Sequence, residues 1–373
     1  MGILVISFDA VGDKVFEKMA GSGDYPNITS FYNEATYCGG IKSIFVSNTY
    51  PIHTTISTGK LPKDHGVIAN TLPLTKSGDR PWVQFASMIK AKTLWDAAKE
   101  KGLKTASLLW PVTCKAKIDY NMPEVHLLKG QNRIIRHLMY GSKFFQIKAM
   151  LKHRHLLKNM KDIEKSQPQL DNFTTAIGVD LLKEKKPDLA LVHLIAYDHI
   201  CHHTGLDSSE IKEAKKALDD NLGRLLGAWH GTVLVFSDHS QLPVHENINL
   251  CDLYKEDFLQ LGGCAFFQKP LAEISEQHWF GRYLTKEEMS SSGHDSRYDF
   301  GIAAKPGFNF SDGENIFKGD HGYPVDYENY NTFYAINKEI DYAHKLKGSV
   351  RDVTAIIAKE LGLDMDIIAE YGL

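Results

Sequence analysis

Aspartate and histidine recur together along the chain. "YDHICHHTG" places Asp198 four residues before His202, "VFSDHS" sets Asp238 beside His239, and "KGDHGYP" joins Asp320 to His321. Asp9 stands alone in "ISFDAVG". Carboxylates and imidazoles together are good ligands for zinc and similar divalent ions. The four-residue spacing puts Asp198 and His202 on one face of a helical turn. Such a set exceeds the needs of one tetrahedral ion, so two ions are the economical reading, and ion pairs suit phosphoryl transfer. Singly, each residue has a plainer explanation: a helix-capping Asp, or a hydrogen-bonded core His. Recurrence at equivalent positions points instead to chemistry.

A threonine completes the set. In "SNTYPIHTTISTGKLPKDHGVIAN", from Ser47 to Asn70, Pro51 follows an apolar run from Ser43 to Ser47. A strand ending and a helix starting nearby put Thr49 at the positive end of that helix, where a nucleophilic oxygen or an anionic substrate is stabilised. An ordinary N-cap threonine is the alternative.

These residues need strand ends to carry them. Nearly continuous apolar runs predict strands at Ile3–Phe8, Ile41–Val46, Thr105–Leu109, Leu189–Leu194 and Thr232–Ser237, each covered on both faces. Helical patterns lie between them at Thr93–Lys101, Phe173–Glu184 and Ser208–Trp229, and a last one spans Ser349–Glu360. The alternation predicts an α/β fold with a mostly parallel sheet, at whose strand ends ligands bind. Asp9, Asp198 and Asp238 all follow predicted strands. The 373 residues read as one catalytic domain, with 125–168 a basic helical insertion. Lys129 to Lys165 holds ten Lys or Arg against Asp162 and Glu164, interleaved with apolar residues. It is either a solvated face or a cap that draws an anionic substrate.

A formal net charge of −3 gives no global reason to expect nucleic acid or a membrane surface as partner. Five scattered cysteines without a CxxC pair, and an N-terminus with no basic leader, favour a cytoplasmic protein without a membrane span.

The motifs "NTYPIH", "STGKLPKDHGVIAN", "DHICHHTG", "SDHS" and "GDHGYP" resemble those of type I phosphodiesterases, the nucleotide pyrophosphatase/phosphodiesterase branch of the alkaline phosphatase superfamily. The resemblance covers roughly residues 1–110 and 170–330. It implies an alkaline-phosphatase-like three-layer α/β sandwich with two divalent metal ions, zinc first and Mn2+ or Fe as alternatives. It implies Thr49 as the nucleophile of a covalent intermediate. One ion would be held by Asp198, His202 and His321, the other by Asp9, Thr49, Asp238 and His239. Asn70 and the Tyr50 N–H would donate to phosphoryl oxygens. His53, His65, His199, His203 and Asp320 are read as structural. Two departures stand out: Ser240 where the family commonly has Gly after Asp-His, and "FDAVG" for the usual Asp-Gly.

The frame Thr49-Tyr50-Pro51-Ile52-His53 lacks the arginine of a sulfatase. No Lys or Arg occurs between Ser43 and Thr58, which suits the single charge of a diester better than a monoester dianion. The expected substrate is a small anionic phosphoester, nucleotides included. A phosphomonoesterase or phosphonate hydrolase is the alternative on the same site, and a non-catalytic metal-stabilised binding protein is a third reading.

Overall fold

A computed structural model describes residues 2–73, 80–157, 166–254, 258–269, 273–311 and 316–373. The main sheet is built from β1 (Ile3–Phe8), β2 (Thr36–Ile41), β3 (Thr105–Leu108), β4 (Tyr120–Met122), β5 (Leu189–Leu194), β6 (Thr232–Ser237) and β7 (Thr332–Ile336). Their spatial order is β2-β7-β6-β1-β5-β3-β4. The pairings of β7 are antiparallel and the others parallel. The helices that matter here are α1 (Thr49–Thr58), α2 (Arg133–Tyr140), α3 (Lys143–Lys152), α4 (Gln169–Lys185), α5 (Ala196–Thr204), α6 (Ser209–Leu226) and α7 (Arg351–Leu361).

β1 shows why the run had to be apolar throughout. Leu4, Ile6 and Phe8 pack on one side with Phe173 and Ile177 of α4 and Leu218 and Leu222 of α6. Ile3 and Val5 pack on the other with Ile52 and Ile56 of α1 and Val353, Ile356 and Ile357 of α7. Side chains alternate across a strand, so a strand between two helical layers exposes neither set. This is the three-layer α/β sandwich expected from the sequence.

The run Ile41–Val46 departs from expectation. The strand is Thr36–Ile41, an edge strand paired only with β7, and 42–48 form a connection. That stretch is apolar for another reason: Ile44 joins the core under α1, while Phe45 and Val46 pack against Phe266 of a second sheet. The second sheet has four antiparallel strands between 258 and 304, and a third joins Leu242–Asn249 to Gly307–Ser311 and Gly319–Asp320. In the basic insertion, α2, α3 and a turn at Arg154–Leu157 lie between β4 and α4; 158–165 fall outside the described residues.

Two buried histidines set an acid limit on this fold. His294 stacks on Phe266 at 4.0 Å between ring centroids, and neither ring nitrogen has a partner among the described residues. His65 faces the Thr55 hydroxyl through Nε2 at 3.0 Å. Burial pushes both down to about 3 from 6.5. Their neutral forms therefore support the fold above pH 6.5, and that support is lost as pH falls toward 3. Urea unfolding should show stability declining through this window, by about 1.4 kcal/mol per pH unit for each histidine. His294→Phe keeps the stack and should flatten the slope; an unchanged slope would show that His294 does not contribute.

Candidate active site

β6, β1 and β5 lie side by side, and Phe8 is level with both Leu194 and Ser237. The residues that follow are Asp9, the Ile195 turn into α5, and Asp238-His239. Equal strand length thus brings three polar clusters to one height at one sheet edge. α5 carries Asp198 and His202 on one face, with Asp198 Oδ2 3.3 Å from His202 Nε2. His239 Nε2 lies 3.4 Å from Asp9 Oδ1, 3.3 Å from Asp238 Oδ2 and 3.3 Å from Thr49 Oγ1. His321 arrives from the Gly319–Asp320 strand, its ring 4.2 Å from that of His239 and 5.1 Å from that of His202. Its loop is seated by close backbone contact. Gly322 adopts φ +83°, and a Cβ there would lie 1.9 Å from the Leu261 carbonyl oxygen.

Three groups of side chains could each hold an ion: Asp9, Asp238 and His239; Asp198, His239 and His321; His202, Asp320 and His321. The first keeps together residues assigned to one ion by the resemblance. In the others His239 and His321 stand between both sets, so the boundary between two ligand shells is less sharp than the sequence suggested. Asp320, structural on the sequence reading, stands at the site. It lies 3.6 Å from His202 Nδ1, and that nitrogen also donates to the Gly319 carbonyl at 2.9 Å. Asp320 is thus behind the His202 ring, and Nε2 is left toward Asp198. Holding one imidazole nitrogen frees the other as a ligand.

The donors fit a cation. Asp9 Oδ1, Asp238 Oδ2 and His321 Nδ1 are buried without a hydrogen-bond partner among the described residues. Burial first, then the charges of Asp238 and Asp198, pushes Asp9 well above the usual carboxylate range, and burial raises Asp238 to about 7. Burial would also raise Asp198, but the charge of His202 overrides it and holds Asp198 well below 3.8. His202 rises to about 9 against its own burial because Asp198 faces it. Burial lowers His239 to about 4 and His321 to about 3. Like charges crowded out of water take up protons unless positive charge is supplied.

Thr49 opens α1 and is nearly buried. Asn70 lies beside it, but the two donors expected to act together are bonded to each other: the Tyr50 N–H donates to Asn70 Oδ1 at 2.9 Å. This engages the Tyr50 amide and leaves Nδ2 as the donor group of the Asn70 side chain. His53 is internal as expected, with Nδ1 on the Thr49 carbonyl at 2.9 Å and Nε2 on Ser7 Oγ at 3.0 Å. His199 and His203 line the cleft, so they are placed closer to the site than a structural reading implies.

The cleft has a volume of about 640 Å³, and Thr49, Asp9, Asp198, His202 and His321 are among the residues that line it. Arg80, His126, Arg133 and His137 also line it. Burial, then the charge of Arg133, lowers His137 to about 4, so Arg80 and Arg133 are what bring to the cleft the positive charge that the sequence around Thr49 lacks. Three supports escaped the sequence reading. Gln241 Nε2 donates to Asp198. Tyr50 OH donates to Glu124 at 2.9 Å, under a His126–Trp82 stack at 3.8 Å. Asp171 of α4 accepts the Ile195 and Ala196 N–H groups, both at 3.0 Å, where α5 begins. In sequence Asp171 looks like an ordinary acidic residue of a helix's first turn, so it gave no distinct signal.

Fold and cluster together define an alkaline-phosphatase-like α/β protein with a metal-type Asp/His site. The chain belongs to the type I phosphodiesterase / nucleotide pyrophosphatase family, whose model matches residues 3–287. Among curated relatives, venom phosphodiesterase from Crotalus durissus collilineatus is 25% identical over 207 residues, 54% of this chain and 21% of that protein. Human ectonucleotide pyrophosphatase/phosphodiesterase family member 1 is 22% identical over 260 residues, 68% of this chain and 23% of that protein. The match thus spans about a fifth of these relatives. Among solved structures, murine ectonucleotide pyrophosphatase/phosphodiesterase 5 superposes with a TM-score of 0.66 at 16% identity, covering 97% of this chain and 95% of that one. Phosphonoacetate hydrolase from Sinorhizobium meliloti, in complex with phosphonoacetate, gives 0.69 at 16% identity, covering 96% and 95%.

Asp171→Ala strips one buried and one partly buried N–H group of their acceptor at the start of the helix bearing Asp198 and His202. It should cost about 2–4 kcal/mol in urea unfolding. Asp171→Asn keeps one acceptor oxygen and should cost less; equal losses for the two variants would show that the oxygen is not the reason.

Proposed function

We propose that this chain hydrolyses a phosphodiester or phosphoanhydride through a covalent phospho-threonine intermediate on Thr49. The observation that carries the reading is the position of Thr49: its hydroxyl stands at the start of α1, 3.3 Å from His239, within the Asp/His cluster. Family membership supports it. An inactive threonine-to-alanine variant of murine ectonucleotide pyrophosphatase/phosphodiesterase 5 has been solved in complex with AMP, which supports both the threonine and a nucleotide-like substrate.

In this reading Thr49 Oγ1 forms a bond to phosphorus, the bond to the leaving-group oxygen breaks, and water then frees Thr49. The positive start of α1 favours negative charge at Oγ1 and on the phosphoryl group. Asn70 Nδ2 donates to a non-bridging oxygen, while the Tyr50 N–H fixes Asn70 in place. Losing such a donor typically lowers the rate on the order of 10²–10³-fold. Asp198, His202 and His321 would hold one divalent ion, and Asp9, Thr49, Asp238 and His239 the other, with zinc the best match to the donors. When bound, such ions supply Lewis acidity and the positive charge that keeps the carboxylates ionised.

The chain is read as one catalytic α/β unit. Its insertion at 125–168 brings His126, Arg133 and His137 to the cleft as part of a cap. Arg80 and Arg133 suit a substrate with a second anionic group, a nucleotide or pyrophosphate among them. They equally favour a second reading, hydrolysis of a small phosphonate bearing a carboxylate.

The test compares an aryl phosphodiester, its monoester and a phosphonate, using zinc-loaded protein, chelator-treated protein and Thr49→Ala. Diester turnover should be fastest, should vanish with chelator, and should fall at least 10³-fold in Thr49→Ala. Faster phosphonate turnover would favour the second reading. Undiminished activity in Thr49→Ala would end the covalent mechanism. Zinc at about 1,000 times its Kd should also stabilise the protein by about 4 kcal/mol.

A further inference from the structure

Helix α2 is turned inside out. Arg133 and His137 face the cleft and Tyr140 is buried, whereas Ile134, Ile135 and Met139 are 63%, 56% and 54% exposed. Just beyond, Phe144 of α3 is 85% exposed and Leu151 63%. Isolated apolar residues on a surface are ordinary; a cluster of large ones is informative. Charge is one-sided as well. Between 125 and 157 there is no Asp or Glu, and there are seven Lys or Arg. Lys148 and Lys152 pair with Glu184 and Asp180 of α4. Exposed Lys129, Lys143 and Arg154 have no acidic partner among the described residues.

We infer that this face docks on an anionic lipid surface. Ile134, Ile135, Met139 and Phe144 would enter the headgroup–acyl boundary while Lys129, Lys143 and Arg154 meet anionic headgroups. Apolar side chains rimmed by basic ones are the composition of segments that lie in a membrane interface. No helix among the described residues is long and apolar enough to cross a bilayer, so attachment is peripheral. Charge argues against a second copy of the chain. A two-fold contact pairs a patch with itself, and here it would set each basic residue against others of its kind. Phe144, almost fully exposed, is a protrusion that a fluid interface accepts without a preformed pocket. Because α2 presents its other face to the cleft, docking would hold the cleft beside the lipid headgroups.

The test is co-sedimentation of the full chain with vesicles of phosphatidylcholine alone or with about a third phosphatidylglycerol. Binding should need the anionic lipid and weaken in high salt. Ile135→Ser with Phe144→Ser should lower partitioning about 10-fold or more, and Lys143→Glu about 5-fold or more. These side chains are exposed, so unfolding midpoints should not change. The readout is independent of catalysis, so failure here leaves the proposed reaction standing. Absence of binding to anionic vesicles, equal binding to neutral ones, or full binding by the variants would overturn the inference. So would a dimer in light scattering that Ile135→Ser with Phe144→Ser dissolves.

Discussion

Crowded negative charge at the edge of a parallel sheet is the constraint that the rest of this structure serves. Asp9, Asp198, Asp238 and Asp320 are gathered around His202, His239 and His321 at a point largely removed from water. The register of three adjacent strands puts the first residues there, and their apolar bodies hold that register against the repulsion. Hydrophobic burial is large and non-directional, so it can support a locally unfavourable cluster. Ala10 shows the same tension in the backbone. Its N–H donates to Asp238 Oδ1 at 3.2 Å while φ stands at +61°, a conformation that costs a non-glycine residue.

The nucleophile candidate is held with equal firmness. α1 has a poor intrinsic helix composition, with four threonines in ten residues, and all ten are buried. Its stability is tertiary. Trp110 donates to Ser57 Oγ at 3.0 Å, Thr354 of α7 to the Ile56 carbonyl at 2.7 Å, and Arg351 to the Gly59 carbonyl at 2.8 Å. His53 ties the first carbonyl of the helix to Ser7 on β1. Helix α7, far from Thr49 in sequence, thus helps fix where Thr49 stands.

Much of this was legible because both patterns are local. A strand buried on both faces must be apolar, and a residue at its end is visible by position; hence β1, β5 and β6 and the Asp and His after them could be read directly. Ile41–Val46 misled because burial under another sheet produces the same apolar run. Asp171, Gln241 and the Asn70–Tyr50 bond were not legible, since each depends on which surfaces meet in space. The family departures are similar. Ser240 and Gly12 look independent in sequence, yet a Cβ on Gly12 would lie 1.9 Å from Ser240 Oγ, so the serine occupies room that this glycine leaves.

The insertion shows why resemblance reached the reaction centre but not its surroundings. The motifs that carry the resemblance lie in the Asp and His residues that the sheet edge brings together. A helix outside the sheet answers to other demands. α2 spends its polar side on the cleft, where the Arg133 guanidinium adds positive charge to a lining that also holds carboxylates. A cleft lined by Arg133 as well as by the Asp/His cluster offers an anionic molecule a favourable charge that the cluster's carboxylates alone do not supply. Once the polar side faces inward, the apolar side has only the outside left. The reversal of α2 therefore follows from cleft chemistry, and the exposed isoleucines belong to the same arrangement as Arg133 on the cleft side of the helix.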